Sequence, residues 1–142
     1  DDGDFDALCQ QLHRYQATLR TCFTLENFDN LIKNGRMRPI VGTLLRSLGI
    51  HIIADATAEG TIHVADKARG VGKTYRAITA LMKASKDCTD AEVVISHCEN
   101  LEGAMALKRQ ILADLPVKQV DLLSCRGLTS FYAMEKGLIV GY

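Results

Sequence analysis

The sequence predicts a two-layer α/β domain, in which a small mixed or antiparallel sheet is covered by helices on one face. Three observations predict it. Apolar runs of strand length recur along the chain, and the later ones alternate with stretches of helical period. An earlier pair of runs is joined by turn residues and reads as a hairpin. The chain has 142 residues, 47% of them hydrophobic. That length suits one domain and allows about two-thirds of the unfolded surface to be buried.

The elements follow in order. Asp4 or Asp6 can cap a first helix with a stripe of Phe5, Leu8, Cys9, Leu12, Tyr15 and Leu19. Residues 22–25 are short and β-prone, and a short helix over 26–33 ends at Asn34-Gly35. Pro39 suits the first turn of a helix carrying Ile40, Val41, Leu44, Leu45 and Leu48, closed by Gly49. Residues 50–54 and 61–65 are the hairpin strands, with turn chemistry at Ala58-Glu59-Gly60. A long helix over 70–85 carries Tyr75, Ile78, Leu81 and Met82 on one face. Strand 92–97 leads to a helix over 101–114, capped by Asn100 and stopped before Pro116. Strand 118–124, a short helix over 127–136 and a last strand over 137–142 complete the pattern.

Composition removes several function classes. Seventeen basic residues balance seventeen acidic ones, which argues against a general nucleic-acid binder. No apolar run approaches the roughly 20 residues of a membrane helix. The first six residues include four Asp, so no signal peptide is read there. The five cysteines, Cys9, Cys22, Cys88, Cys98 and Cys125, are odd in number and form no CxxC pair. They predict reduced, mostly buried thiols of a cytoplasmic protein rather than a zinc or redox site. The chain starts at Asp1 and enters a helical pattern at once, which predicts a piece of a longer protein.

Gly70-Val71-Gly72-Lys73-Thr74 imitates a phosphate-binding loop, but Lys67 stands where the first glycine belongs. The plainer reading is a helix start with a basic first turn. Lys67, Arg69, Lys73 and Arg76 offer a surface to an anion or an acidic partner. His97 and Cys98 are adjacent on a strand and point to opposite faces, so they are not a nucleophile and its base. His97 reads instead as a hydrogen-bonded residue of a strand-to-helix turn. His51 and His63 read as cross-strand neighbours, which is too few ligands for a metal. Asn34-Gly35-Arg36-Met37-Arg38-Pro39 places arginines beside a helix start, where carboxylates and phosphates are held. In 124–133 a strand gives way at Gly127 to a helix opening with Thr129 and Ser130 and carrying Phe131 and Tyr132.

These stretches carry a family resemblance. Leu25-x-x-Phe28-x-x-Leu31-x-Lys33-Asn34-Gly35-Arg36 resembles the helix and Gly-Arg turn that open the C-terminal domain of DegV-family proteins. Leu44, Leu45 and Leu48 with Gly49-Ile50-His51-Ile52 resemble the family's helix-to-strand passage. Glu59-Gly60 with Lys67-x-Arg69-Gly70-x-x-Lys73 resembles its hairpin, and His97-Cys98-Glu99-Asn100 its next strand and helix. Gly127-Leu128-Thr129-Ser130-Phe131-Tyr132-Ala133 resembles the tail of one family branch. The pieces are individually loose, but their order and spacing over 20–142 agree.

The resemblance implies residues 1–20 as the tail of a truncated N-terminal domain or a leading helix, and 21–142 as a C-terminal lipid-binding domain. It implies a long-chain fatty acid bound with the missing N-terminal domain, and presentation of that acid to a separate fatty acid kinase. No cofactor or metal and no catalysis by this chain are implied. Arg36 matches the family arginine near the ligand head group, with Thr129, Ser130 and Tyr132 as further candidates. The acyl pocket would draw on Ile40, Leu44, Leu45, Leu48, Ile50, Ile52, Leu128 and Phe131. Many members carry a His in a glycine-rich tail segment, where this chain has Met134-Glu135-Lys136-Gly137 with Tyr132 nearest. Two other readings stand beside this one. One is a phosphotransfer enzyme using Arg36, Lys73 and His97, and the other is an interaction module docking an acidic protein on the basic 67–76 segment.

Overall fold

A computed structural model describes residues 4–37, 49–57 and 60–142. The helix expected at 40–48, with Ile40, Leu44, Leu45 and Leu48, lies outside the described residues.

The chain runs α1 (Phe5–Thr18), β1 (Thr21–Leu25), α2 (Asp29–Lys33), β2 (Ile50–Ala56), β3 (Ile62–Arg69) and α3 (Val71–Ser85). It continues β4 (Glu92–His97), α4 (Leu101–Asp114), β5 (Gln119–Ser124), α5 (Gly127–Ala133) and β6 (Leu138–Gly141). The six strands form one sheet in the order β3-β2-β1-β6-β4-β5. All neighbours are antiparallel except β4 and β5, which are parallel because α4 connects them. The last strand, β6, thus joins the first three strands to the β4–β5 pair.

Strand alternation divides the apolar residues between two faces. On the first face Cys22, Ile53, Val93, Ile95, Val120 and Val140 pack against Tyr75, Ile78 and Met82 of α3 and Ala104, Leu107 and Ile111 of α4. These helical residues recur at three- and four-residue spacing, so each helix presents one stripe to the sheet. Burial is complete for Ile53, Ile78, Met82, Ile95, Leu107, Ile111 and Val140. On the second face Leu25, Phe28, Leu31, Ile52 and Ala133 form a smaller core, with Phe23, Ile62, Val64 and Ile139 packed against it. Among the described residues the short helices α2 and α5 lie there, so the helices are not confined to one face.

Local chemistry explains the boundaries. Asp4 caps α1 by accepting a bond from the Asp6 N–H at 3.1 Å, and Asn100 caps α4 by accepting from Gly103 N–H at 3.2 Å. The return strand of the hairpin is longer than expected. A bulge between Ile53 and Ala54 shifts the register and lets pairing run on to Ile50 opposite Arg69. That register also corrects the histidine expectation: His51 lies opposite Ala68, and His63 lies opposite Asp55, bonding it at 2.9 Å. Helix α5 ends at Ala133 rather than at residue 136, because Met134 turns to φ 53°. Gly137 then follows where a Cβ would collide with the Ala133 carbonyl.

Helix α1 forms over the expected stripe with Asp4 as its cap. Its stripe is exposed, with Phe5 at 74%, Leu8 at 54%, Leu12 at 51% and Tyr15 at 62%. The described residues leave this face of α1 uncovered.

Two acids in the first core set a pH dependence. Burial pushes the Cys22 thiol from 9.0 up to about 12. It also pushes the Tyr142 phenol from 10.0 up to about 12, although Ser85 bonds its oxygen at 2.7 Å. Both are neutral in the fold and dissociate first in the unfolded chain. Their contribution is complete below about pH 9 and is lost as the pH climbs toward 12. Urea midpoints measured from about pH 8 to pH 11 should therefore fall, and Cys22→Ala should make the fall shallower.

Candidate lipid cleft

Among the described residues the second face is incompletely covered, and they leave a cleft of about 360 Å³ there. Its floor is the sheet: Phe23 and Leu25 from β1, Ile62 from β3 and Ile139 from β6. Leu31 of α2 and Leu128, Tyr132 and Ala133 of α5 form its walls, and Arg36 and Gly60 complete the lining. The sequence builds this floor by alternation. Phe23 pairs with Ile139 and Ala54 across neighbouring strands, and Ala54 pairs with Val64, so all four share one face.

The walls are fixed by a few polar contacts. The Asn30 side chain donates to the Phe131 carbonyl at 2.7 Å, tying α2 to α5. Leu31 O accepts from Arg36 N–H at 2.7 Å and from Met37 N–H at 3.2 Å, which folds the Gly-Arg turn back onto α2. Gly35 occupies the left-handed region at φ 68° in that turn. Arg36 is exposed and is the one charged side chain among the lining residues. It can offer two parallel hydrogen bonds to a carboxylate at an otherwise apolar site.

The residues expected from sequence fall into groups. Arg36, Tyr132 and Leu128 line the cleft. Ile52 is fully buried beneath the second core, and Ile50 packs against it. Phe131 is 45% exposed and meets Tyr132 edge-on, with ring centroids 5.1 Å apart. Thr129 is exposed and Ser130 half-buried, and neither lines the cleft. Phe23, Ile62 and Ile139 were not singled out from sequence, and Leu25 and Leu31 entered only as motif positions, not as pocket residues. Their alternation was legible, but not which strands lie side by side.

The basic segment is divided. Lys67 and Arg69 pair with Ile52 and Ile50 and so belong to the cleft face. Lys73 and Arg76 belong to α3 on the first face. Arg76 acts there on Asp114, whose carboxyl is held below its ordinary value by hydrogen bonds from Thr79 and Gln110 and, more weakly, by Arg76 and Lys83. Alternation puts His97 with Val93 and Ile95, opposite the cleft that Arg36 lines. Its Nδ1 accepts from Asn100 N–H at 3.4 Å, the turn role expected for it. Cys98 packs into the second core, so the two side chains diverge. The five cysteines are free: Cys22 and Cys88 are buried and Cys9, Cys98 and Cys125 half-buried. Among the described residues no group of three or more acidic, His or Cys side chains could hold a metal. No described helix is long and apolar enough to cross a membrane.

A family model described as an uncharacterised protein of the DegV family matches residues 1–138. The chain belongs to the DegV family. Its relatives include a DegV domain-containing protein of Streptococcus gordonii, 32% identical over 139 residues, which are 97% of this chain and 49% of the relative. Among solved structures, the Streptococcus pneumoniae Fatty Acid Kinase B3 protein, loaded with linoleic acid, is 32% identical with a TM-score of 0.88. That match covers 99% of this chain and 50% of the other. A DegV family protein of Eubacterium eligens, loaded with heptadecanoic acid, is 27% identical with a TM-score of 0.90, over 98% of this chain and 50% of its own. The chain thus spans about half the length of the curated relatives it matches.

The Asn100 side chain does two jobs, capping α4 and donating to the Lys136 carbonyl at 2.9 Å. Asn100→Ala should cost about 1–2 kcal/mol in chemical denaturation. Asn100→Asp, which keeps the cap and loses the donor, should cost less.

Proposed function

We propose that this chain binds a long-chain fatty acid in the cleft of its second sheet face, as one half of a two-domain binding protein. The cleft itself carries the reading: an apolar groove of about 360 Å³ with a single arginine among its lining residues. The fatty acids held by the pneumococcal and Eubacterium relatives support it.

In this reading Phe23, Leu31, Ile62, Leu128 and Ile139 hold the acyl chain. Arg36 pairs with the carboxylate, and Tyr132 supplies a hydroxyl beside it. Thr129 and Ser130 would reach the head group only if the start of α5 moved. Residues 1–20 are the tail of an N-terminal domain or a leading helix, and 21–142 are the lipid-binding unit. The chain is a binding protein rather than a catalyst, acts in the cytoplasm and presents its acid to a fatty acid kinase. The kinship with a Fatty Acid Kinase B3 protein favours that partner. Nothing comparable favours phosphotransfer by Arg36, Lys73 and His97, or docking through 67–76, since alternation divides both sets between the two faces.

Magnitudes favour weak binding by this half alone. If about eight methylenes of the chain are covered, they contribute roughly 6 kcal/mol at ~0.8 kcal/mol each, a dissociation constant of roughly tens of micromolar. A second domain closing over the exposed side would tighten it by orders of magnitude.

The test is calorimetric titration of the chain with a long-chain fatty acid below its critical micelle concentration. Arg36→Met should weaken binding about tenfold, and Ile62→Asp should abolish it, because an unpaired carboxylate would face the apolar groove. If Ile62→Asp binds as the parent does, the acid lies elsewhere and the proposal fails.

A further inference from the structure

The glycine-rich segment that fails as a phosphate-binding loop borders a second, separate cavity. This one holds about 30 Å³ and is lined by Thr24, Glu26, His51, Val71, Tyr75 and Lys136, among others. Such a volume takes about two waters, or the oxygens of one small ion, and excludes an alkyl chain. Thr24 belongs with Cys22 and Ile53 on the first sheet face, away from the lipid cleft. Leu25 is the one residue that lines both.

Two independent observations mark the cavity. Thr24 is 5% exposed, and its hydroxyl has no hydrogen-bond partner among the described residues. A buried hydroxyl left unpaired is costly, so native structures seldom keep one without a guest. The second observation is the start of α3, a helix of 15 residues. Its N-cap is Gly70, which has no side chain to bond the first-turn N–H groups as Asn100 does for α4. Those N–H groups and the helix dipole favour negative charge.

The remaining charged groups are of both signs. Lys136 brings an ammonium, and it stands 3.8 Å from Glu26, the one carboxylate in the lining. Burial, and then the charges of Glu26 and Glu102, push the Tyr75 phenol up and keep it a donor. The positive end of α3 and the ammonium outnumber the single carboxylate of the lining, which favours an anion over a cation.

We propose that this cavity is a binding site for a compact oxyanion, phosphate or a small carboxylate, held by the Thr24 hydroxyl, the N-terminus of α3 and Lys136. The site does not depend on the lipid reading.

The probes are inorganic phosphate and acetate. Thermal unfolding of the 142-residue chain is followed in low-millimolar steps of each, with chloride making up constant ionic strength. The midpoint should rise by about 9 °C at a hundredfold excess over Kd. A rise in phosphate alone assigns a tetrahedral oxyanion, and a rise in acetate alone assigns a carboxylate. Thr24→Val keeps the shape and removes the hydroxyl. It should fold at least as stably in chloride and lose the anion-dependent rise. Lys136→Gln, a second variant that leaves the core untouched, should weaken the anion about tenfold. Equal midpoints in all three salts overturn the proposal. So does a rise that Thr24→Val shares, which would be a general salt effect or binding at Arg36.

Discussion

A sheet with apolar residues on both faces must have both faces covered, and this constraint organises the molecule. The strands β1, β2 and β6 carry Cys22, Ile53 and Val140 on one side and Phe23, Ile52 and Ile139 on the other. Two long helices cover most of the first side. The second side receives only two short helices among the described residues, and the uncovered remainder is the cleft. Fold and candidate site are therefore consequences of one imbalance.

Much of this was legible in the sequence because local chemistry marks it. Helix α4 has the expected bounds, with Asn100 at one end and Pro116 beyond the other. Strand β4 has its expected bounds for a similar reason, since Val93, Ile95 and His97 alternate with half-buried or exposed neighbours. What depends on non-local pairing was not legible. The register that sets His51 opposite Ala68 and His63 opposite Asp55, with its bulge at Ile53 and Ala54, has no sequence mark. Nor does the placing of β6 between β1 and β4, which brings Ile139 beside Phe23. Arg36, Leu128 and Tyr132 were found through turn chemistry and family resemblance, whereas Phe23, Ile62 and Ile139 needed the strand order.

The exposed stripe of α1 obeys the same logic. Phe5, Leu8, Leu12 and Tyr15 recur at helical spacing on a helix that no described element covers. The period was read correctly from the sequence, and the burial it usually accompanies is missing. The stripe and the open side of the cleft are surfaces that a longer relative has more chain to cover, since this chain matches about half of such a protein. The two-domain proposal would account for both.

The central claim is that an acyl chain lies on the second sheet face. It is tested most directly by methyl-resolved NMR of the chain titrated with a fatty acid carrying a nitroxide on its tail. The account predicts that the methyl signals of Leu31, Ile62, Leu128 and Ile139 broaden while those of Ile78, Leu107 and Ile111, beneath the opposite face, persist. Broadening centred on the α3 and α4 residues, or none at all at millimolar ligand, would contradict it.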